Sequence, residues 1–584
     1  MQQGRFGLGV PRTLANGRLL YSVQDSTRCG GWNKASLRHT EVKLLMAPRT
    51  RRALFSVTVF LATCGVLGSV ISQKVSAQSA SDESSLRDSL KSFTSVYSVV
   101  EQNYAEKLDS DRTDKAIYDG AIPGMLHVLD PHSNFYDPKA YAQMREDQHG
   151  RYYGVGMTIQ PQLIDGTLKI LVLYPFEGTP SFKAGIRPGD MILSVDGKPT
   201  DGLDSAAVAG MLKGPRGTHV LVTMSREGRD KPMTFDLVRD EIPRPSVDLA
   251  FQIRPNVGYM HVTNFQETTA REVGEALDRF RQDGPLKGLV IDLRGNPGGL
   301  LNQAVDMSDK FLQKGQVVVS QHGRAAADQV YSASRGEQGP KYPVVVLVNR
   351  NTASAAEIVS GALQDHDRAL IVGETTFGKG LVQTVFTLSQ NTGLALTTFH
   401  YYTPSGRLIQ RPYDHMSLYD YYYVRDASNP KDNANREVKL TDEGRTVYGG
   451  GGITPDEHID QLKSNKVQDT LLQHYAFFNF SKRYLATHTV QKDFAVDDAV
   501  MAQFKDFLKS KNIEATDADL AANHDWVQES IKSDLFTSQF GQLEGMKVRA
   551  QWDPQIVKSI GFLPQAQALE EHLTKPKPTT TASR

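Results

Sequence analysis

The chain has few cysteines: among its 584 residues only Cys29 and Cys64 occur, and both precede residue 78. The rest of the sequence therefore contains no disulfide framework, no cysteine nucleophile and no thiolate metal site. Histidine, aspartate and glutamate do not occur in the spacing of a metal-ligating motif such as His-Glu-x-x-His. We accordingly expect neither a metal nor a cofactor.

The sequence has no excess of charge of either sign, since Lys plus Arg and Asp plus Glu both number 66. A balanced chain of this kind does not indicate a nucleic-acid-binding protein or a polyanionic tail. At this length one hydrophobic core is also insufficient, and about three to four structural units are expected.

Long hydrophobic runs are scarce, and one stands out, from Ala53 to Ile71. Basic residues precede it and small residues follow it, as in a secretory signal. The run is also almost long enough to span a bilayer, so residues 46–77 are interpreted as a signal peptide or a single membrane anchor, with cleavage favoured. We expect translation to start at Met46, which would make residues 1–45 a non-native leader, and we expect the mature protein to be exported.

The remaining sequence divides by its patterns. A linker and a helical region are predicted for residues 78–150, short strands with Gly and Pro turns for 151–239, alternating strands and helices for 240–460, a helical extension for 461–570 and a disordered tail for 571–584. Alternation of apolar strands with helices predicts an α/β core for residues 240–460.

Ser354 and Lys379 are the residues that most directly indicate a chemistry. Ser354 lies among small residues at the predicted start of a helix, 25 positions before Lys379. A serine hydroxyl becomes nucleophilic when a base takes its proton, and a lysine can be that base if burial lowers its pKa. Glycines and then apolar residues flank Lys379, a setting suited to a neutral amine. Taken singly, a helix-capping serine and a solvated lysine are simpler interpretations.

The predicted helix start also offers a place for negative charge. Backbone N–H groups and the positive end of the helix dipole would stabilise an oxyanion, with the Ala355 amide as the natural donor. A second donor is expected from the turn at Gly298 and Gly299, without a choice between the two.

Gln383 lies four residues after Lys379 and is expected to orient the amine through a hydrogen bond. Four residues of extended strand span about 13 Å. The contact therefore requires a bend or a helical turn near Gly380.

These motifs, in this order, resemble those of the carboxyl-terminal processing peptidases, also called tail-specific proteases. The resemblance covers roughly residues 86–460 and rests on the glycine turn after a strand, the run 351–357, the Gly-Lys-Gly segment with Gln383, and the run 401–407. It implies a crotonase-like parallel-sheet core interrupted by a PDZ domain. It also implies Ser354 as nucleophile, Lys379 as general base, Gln383 as orienting residue, and oxyanion donors at Ala355 and a glycine of the turn.

Residues 151–239 resemble a PDZ domain, most clearly in the turn at residues 185–190. A carboxylate-binding loop is expected at Gly154, Val155, Gly156 and Met157, because successive N–H groups can converge there on the end of a peptide. Val208, together with Met211 or Leu212, is expected to line a pocket for an apolar terminal side chain. A structural β-unit whose glycines only make turns is the alternative.

The resulting hypothesis is an exported serine endopeptidase of the bacterial periplasm or cell envelope that cuts proteins near free, apolar C-termini. An adaptor or activator protein, an oligomer and an inner-membrane anchor are compatible with it. Two alternatives stay open: a non-catalytic PDZ scaffold with a decayed hydrolase core, and a crotonase-like enzyme that acts on a small thioester.

Other candidate residues are interpreted as structural. The run Asp365-His366-Asp367-Arg368 could supply a histidine and an aspartate to Ser354, but its polarity favours a solvated turn. His400 is assigned to the core or rim of a strand, and Glu357, one turn after Ser354, to support of the site. The tyrosines at 419–423 would line a cleft or pack between units.

Overall fold

The structure, a computed structural model, describes residues 85–338, 341–424 and 436–574. The chain divides into two compact units, Met1–Leu108 and Asp109–Arg584. The expected leader and the signal peptide or anchor, residues 1–77, lie outside the described residues, as does most of the expected disordered tail. Within the described ranges, no helix combines the length and the apolarity needed to cross a bilayer.

The described part of the first unit holds one long helix, α1, over 85–103. This helix lies within the helical region expected over residues 78–150. The second unit begins with α2 (Ser110–Lys115), a π-helical turn (Ala116–Ala121), α3 (Ile122–His127), β1 (Asn134–Tyr136) and α4 (Pro138–His149). These helices lie in the helical region expected over residues 78–150, and the short strand β1 within it was not predicted.

A small β-unit follows, as the predicted strands and turns of 151–239 indicated. Its elements are β2 (Arg151–Gly154), β3 (Met157–Ile164), β4 (Thr167–Pro175), α5 (Pro180–Lys183), β5 (Met191–Val195), β6 (Lys198–Pro199), α6 (Ser205–Leu212), β7 (His219–Ser225), β8 (Met233–Val238) and β9 (Asp240–Pro243). The sheet order is β3-β4-β5-β7-β8, with β6 beside β5. Strands β2 and β9, where the chain enters and leaves, pair antiparallel.

The next segment forms the central part of the molecule. Its elements are β10 (Val247–Arg254), β11 (Val257–Val262), α7 (Thr269–Gln282), β12 (Gly288–Asp292), α8 (Leu301–Ser308), β13 (Val317–His322), β14 (Gln329–Ser332), β15 (Val344–Val348), α9 (Ala355–Asp365), β16 (Leu370–Gly373), β17 (Leu381–Thr387), a 3₁₀ turn (Ser389–Asn391), β18 (Gly393–Tyr402), α10 (Leu418–Tyr423), β19 (Val438–Leu440), β20 (Thr446–Tyr448) and β21 (Glu457–His458).

The central sheet has the order β10-β11-β12-β15-β16-β21, and every neighbouring pair except β10 and β11 is parallel. A second sheet joins β1, β18, β13 and β14, with β17 beside β18. The α/β class is thereby confirmed. The strands and helices expected to alternate over residues 240–460 include the parallel strands β11, β12, β15 and β16.

The last segment is helical, as expected. Its helices are α11 (Lys466–Gln473), α12 (Ala476–Leu485), α13 (Asp498–Ser510), α14 (Asp517–Ala522), α15 (His524–Phe540), α16 (Gln542–Trp552), α17 (Pro554–Ile560) and α18 (Leu563–Thr574). The segment has two parts, because α11–α15 share their own apolar core, whereas α16–α18 contribute Ala550, Ile556, Leu563 and Ala566 to a cluster with the central sheet. Helix α18 also runs four residues into the expected tail, to Thr574.

Strand β15 shows why the central sheet needs helices on both of its faces, α7–α9 on one and α16–α18 on the other. Val344, Val346 and Val348 are buried in the cluster that contains residues of α7, α8 and α9. Val345 and Leu347 point to the opposite face and are buried in the cluster that contains residues of α16–α18. Parallel strands are normally covered on both faces, and here the end of the chain supplies the second cover.

Candidate active site

Ser354 precedes α9 in a strained backbone conformation, with φ 54° and ψ −116°. Left-handed φ values are costly for residues with a Cβ atom, and such strain concentrates at functional sites. The conformation is held by hydrogen bonds to both ends of the residue. Its N–H donates to Glu357 Oε2 at 2.8 Å, and its carbonyl accepts from the Tyr401 hydroxyl at 3.1 Å.

Glu357 connects the serine to the lysine through their backbones. Its fully buried carboxylate accepts four hydrogen bonds: from Ser354 N (2.8 Å), Thr376 Oγ1 (2.5 Å), Gly378 N (2.7 Å) and Lys379 N (2.9 Å). Burial raises the pKa of Glu357, and the four hydrogen bonds oppose that shift. The side chain of Glu357 therefore holds together the segments of Ser354 and Lys379, which are 25 positions apart in the sequence.

Lys379 precedes β17 and donates from Nζ to Gln383 Oε1 at 2.7 Å. The contact is possible because the pairing of β17 with β18 shifts register between Val382 and Gln383, which provides the required bend two residues later than Gly380. Burial lowers the pKa of Lys379 to about 8, although the charges of Asp130 and Glu357 raise it. Among the described residues, no hydrogen bond joins the Ser354 hydroxyl to the Lys379 amine. Catalytic hydrogen bonds are often long in the absence of substrate.

His132 belongs to an aromatic wall near Lys379. Its Nε2 lies 2.9 Å from the Tyr421 hydroxyl, and its ring centroid lies 6.2 Å from that of Phe377 and 5.4 Å from that of Tyr421. Burial, reinforced by the charge of Lys379, lowers the pKa of His132 to about 3. This imidazole is consequently neutral at physiological pH. The tyrosines of 419–423 thus include two, Tyr421 and Tyr422, that border the site.

Asp130 fixes the segment that carries His132. Its Oδ1 accepts from the N–H groups of His132 and Ser133, both at 2.7 Å, and its Oδ2 accepts from the Ser133 hydroxyl at 2.7 Å. The sequence analysis does not single out this segment. Its Asp-Pro-His-Ser sequence was the available indication that it forms a tight turn.

The glycine turn after β12 lies against Ser354. A Cβ atom at Gly298 would lie 2.7 Å from Ser354 Cβ, so only glycine fits there. The Gly298 N–H donates to Asn296 Oδ1 at 2.8 Å. Within the described chain, the N–H groups of Gly299 and Ala355 have no hydrogen-bond partner. Two amides near the serine are therefore available to an incoming oxygen.

The predicted carboxylate loop, residues 154–157, also has backbone N–H groups without a hydrogen-bond partner among the described residues. Its carbonyls are used, since Val155 O accepts from Ser181 N at 2.9 Å and Gly156 O from Phe176 N at 3.0 Å. The N–H groups of Val155 and Gly156 donate to no other group in the described residues. Gly154 and Gly156 are buried in this loop.

The predicted pocket residues of the β-unit lie beside that loop. Val208 and Leu212, on α6, are buried in one apolar cluster with Val155 and Met157, and Met211 packs against the cluster from a partly exposed position. The cluster joins residues of α6 to residues of the sheet.

Two interpretations of neighbouring residues need correction. The run 365–368 is not a solvated turn, because all four side chains are buried and each is paired: Asp365 with Arg407, His366 with Asp442, Asp367 with Arg445 and Arg368 with Glu337. His366 also reaches Val317 O through its second nitrogen, so the residue is structural. His400 is exposed on β18, so of its two expected positions, core or rim, the core is excluded. Among the described residues, no cluster of His, Cys, Asp and Glu is arranged to hold a metal ion.

Comparison with known proteins identifies the family of the chain. Four family models match: peptidase family S41 over residues 256–413, a PDZ domain over 172–226, the C-terminal helical domain of probable PDZ-proteases over 467–518, and the N-terminal domain of the activating protease CtpB over 60–140. A carboxy-terminal-processing protease of Bartonella bacilliformis is 38% identical over 365 residues, which cover 62% of this chain and 80% of that protein. The chain belongs to peptidase family S41.

A second curated relative agrees with that assignment. The carboxy-terminal processing protease CtpA of Bacillus subtilis is 34% identical over 357 residues, covering 60% of this chain and 73% of that protein. Among solved structures, the photosystem II D1 C-terminal processing protease is 29% identical, with 63% of this chain and 92% of that chain covered and a TM-score of 0.32. This S41 chain is a serine peptidase that carries a PDZ domain.

Proposed function

We propose that this S41 peptidase cuts protein substrates near their C-termini by a Ser–Lys mechanism, with Ser354 as nucleophile and Lys379 as general base. The observation that carries the proposal is the shared carboxylate of Glu357, which binds the backbones of both residues. The buried setting that lowers the pKa of Lys379 to about 8 supports it further, because a lysine base must be neutral to act.

In the proposed reaction, neutral Lys379 takes the proton of the Ser354 hydroxyl as the oxygen attacks the peptide carbonyl. The carbonyl oxygen becomes an oxyanion, which the N–H groups of Ala355 and Gly299 stabilise. Gly299 is chosen over Gly298 because the Gly298 amide already donates to Asn296. Protonated Lys379, oriented by Gln383, then gives its proton to the leaving amine.

The acyl-enzyme that remains is cleared by water. Lys379, neutral again, takes a proton from the water as its oxygen attacks the ester carbonyl, and returns that proton to Ser354 as the ester bond breaks. The same oxyanion donors serve both steps.

We also propose that the PDZ domain binds the substrate tail. The two unpartnered amides of Val155 and Gly156 suit a terminal carboxylate, and β3, at the edge of its sheet, can accept a peptide as an added strand. Val208 and Leu212, which lie in an apolar cluster with Met157, would line the site of the terminal side chain. This apolar lining favours substrates with apolar C-termini, and the loop amides favour a free terminal carboxylate.

The mechanism is tested by digestion of an unfolded protein with an apolar C-terminus. Wild type is expected to cleave it, and the variants Ser354→Ala and Lys379→Ala are expected to be inactive while they retain the circular dichroism and melting behaviour of folded protein. Cleavage that persists in Lys379→Ala would remove lysine as the base. Cleavage of a small thioester but not of peptides would favour the acyl-transfer alternative.

Tail recognition has its own test. Two peptides that differ only in a free or amidated C-terminus are compared as competitors of the same substrate. The free acid is expected to bind at least tenfold more tightly, since amidation removes the charge that the loop amides would bind. Equal binding would contradict the role of the carboxylate loop.

The fold and the location complete the proposal. We infer that the central sheet with its covering helices is related to the crotonase fold, and that the protein is exported with residues 46–77 as signal peptide or anchor. N-terminal sequencing of the mature protein, with fractionation into envelope and soluble material, tests the export. A mature N-terminus upstream of residue 46 would contradict the expected start at Met46.

A further inference from the structure

The C-terminal helical segment reaches the glycine turn beside Ser354 through one side chain. Arg294 lies in that turn, between Asp292 at the end of β12 and Gly298. Its Nη1 donates to Gln555 Oε1 at 2.6 Å and forms an ion pair with Asp553 at 3.1 Å. Asp553 and Gln555 stand at the start of α17, about 260 residues further along the chain.

Arg294 is fixed at its other side by Asp292. Its Nε lies 3.0 and 3.1 Å from the two carboxylate oxygens of Asp292, and its Nη2 donates to Asp292 Oδ2 at 2.7 Å. The Asp292 carboxylate also accepts from the Tyr259 hydroxyl at 2.9 Å. Asp292 is 2% exposed and the Arg294 side chain 17% exposed, so these charge-assisted contacts lie in a largely dry setting. Such a guanidinium has little freedom of its own.

From Arg294 the contacts continue to the reacting groups. Gly295 N donates to Asn349 Oδ1 at 2.9 Å, and Asn296 O accepts from Ala353 N, next to Ser354, at 2.9 Å. The Asn296 side chain then accepts from Gly298 N. The turn is therefore held between the serine segment on one side and α17 on the other, and a shift of Arg294 displaces the glycine amides.

We propose that Asp553 and Gln555 are positioning residues of the peptidase, which act through Arg294 to place the glycine turn for oxyanion binding. The inference rests on the proposed Ser–Lys peptidase function and assigns a role in that reaction to the helical segment. Oxyanion donors must be held within about half an ångström of the productive position, so a loosened turn lowers the rate of the chemical step more than substrate binding.

The test must separate positioning from the structural role of Asp553, whose carboxylate also caps α17 by accepting from Gln555 N at 2.8 Å and Ile556 N at 3.1 Å. Asp553→Asn keeps a capping side chain but removes the charge that faces Arg294. The matched control is Asp497→Asn, the same change at the cap of α13, where the carboxylate accepts from Val500 N at 2.9 Å.

Gln555 offers a second pair of variants. Gln555→Met removes the acceptor for Arg294, whereas Gln555→Glu retains it, and both remove the donor to Asp460 O at 2.8 Å. If Gln555 acts through Arg294, only the methionine variant loses activity. Glutamate thus serves as the conservative variant that restores function.

The measurements are kcat and KM on a short peptide, and inhibition by a peptide aldehyde. Addition of the Ser354 oxygen to the aldehyde carbon turns its carbonyl oxygen into the hydroxyl or oxyanion of a tetrahedral adduct, which needs the oxyanion donors. We expect Asp553→Asn and Gln555→Met to lower kcat about tenfold, to leave KM within twofold, and to weaken the aldehyde by a similar factor. Asp497→Asn and Gln555→Glu should match wild type.

Three results would overturn the inference. Unchanged kcat in Asp553→Asn and Gln555→Met shows that Arg294 needs neither partner. A kcat that falls only in proportion to the folded fraction, and recovers on cooling, shows a purely structural role. Loss of activity in Gln555→Glu equal to that in Gln555→Met shows that the contact with Asp460 is the one that matters. A wild-type protein without peptidase activity instead refutes the proposed function, and the inference with it.

Discussion

At the scale of single residues, burial of Lys379 favours the proposed catalysis but lowers the stability of the fold. The buried setting favours the neutral amine that a base needs, and it makes the charged amine costly. Its pKa is about 8 in the folded protein and 10.5 ordinarily, so the unfolded chain binds the proton more tightly between these values. Stability linked to this residue is therefore lowest below pH 8 and rises between about pH 8 and 10.5.

The first prediction follows for Lys379→Met, which keeps the length of the side chain and removes the charge. The variant should be inactive and, at pH 7, more stable than wild type by about 1–3 kcal/mol, because 1 pKa unit corresponds to ~1.4 kcal/mol and the side chain is not fully enclosed. The gain should shrink as the pH approaches 10. Urea unfolding of both proteins at pH 7 and pH 10 measures it. A gain that does not depend on pH would contradict the lowered pKa.

The wild-type pH profile gives a second prediction about the same residue. In the proposed mechanism the amine must be neutral, so kcat/KM should rise with pH through a value near 8 and level off above it. Initial rates on one peptide between pH 6 and 10 provide the profile. A plateau that already begins at pH 6 would mean that the titrating base is not this lysine.

Residue types and order in the sequence were sufficient to select Ser354, Lys379 and Gln383 as candidates. They were not sufficient to find Asp130 and His132, because these side chains reach the site from a segment more than 200 residues earlier. Nor could residue types and order show which amide, that of Gly298 or that of Gly299, is free to serve as the proposed oxyanion donor. That distinction depends on which amide the Asn296 side chain occupies, and hydrogen bonds of this kind leave no trace in local sequence pattern.

At the scale of elements, the glycine turn after β12 offers a matched pair of substitutions. Gly298 and Gly295 both have positive φ, 96° and 71°, but an added Cβ at Gly298 meets Ser354 Cβ at 2.7 Å whereas at Gly295 it meets nothing within 4 Å. Gly298→Ala should lower kcat at least a hundredfold, since it displaces the proposed nucleophile and the proposed oxyanion donors.

Gly295→Ala serves as the control for that prediction. It should cost about 1–2 kcal/mol of stability from backbone strain and leave kcat within a few-fold of wild type. Steady-state kinetics and thermal melts of the two variants distinguish the effects. Equal losses of activity in both would indicate that strain in the turn, rather than contact with Ser354, is responsible.

Helix α10 provides a second element-scale prediction. Its Tyr421 is 1% exposed and closes the wall that His132 and Phe377 form near Lys379, whereas Tyr419 on the same helix is 67% exposed. Tyr421→Leu should admit water and so raise the pKa of Lys379 toward its ordinary value, with Asp130 and Glu357 still facing the amine. The rising limb of the kcat/KM profile should move up by about one pH unit.

The control for this helix is Tyr419→Leu, which should leave the limb in place. Recording both pH profiles with the same peptide makes the comparison. If the limb stays fixed in Tyr421→Leu while the overall rate falls, the tyrosine contributes to packing but not to the dryness of the lysine pocket.

Elements with a continuous apolar run could be predicted from the sequence. Polar segments that are buried through ion pairs with distant residues could not. Strands β11, β12, β15 and β16 are buried on both faces, so their composition alone marks them. The run 365–368 was misread because its four charged and polar side chains look solvated in isolation. Their partners Arg407, Glu337, Asp442 and Arg445 come from other parts of the chain, and only the fold reveals that the charges are neutralised inside.

At the scale of the whole molecule, the helices α16–α18 cover the second face of the central sheet. Ile556 on α17 is 2% exposed and packs in the cluster beneath the central sheet, while its neighbour Val557 is 43% exposed. Ile556→Ala should lower the free energy of unfolding by about 2–4 kcal/mol, and Val557→Ala by less than about 1 kcal/mol.

Denaturant unfolding monitored together with peptidase activity tests this prediction. Activity and global structure should be lost in one transition in both variants, at a lower denaturant concentration for Ile556→Ala. If activity instead survives after the helical signal of the C-terminal segment has melted, the central sheet does not depend on α16–α18 for its second cover.

The antiparallel ribbon of β2 and β9 has a consequence for the history of such chains. Arg151 pairs with Pro243 and Gly154 with Asp240, so the chain leaves the central part and returns to it at adjacent points. Paired backbones of this kind lie only about 5 Å apart. A gene could therefore lose, gain or exchange everything between these points by a single recombination, and a short hairpin would reseal the gap without rerouting the polypeptide.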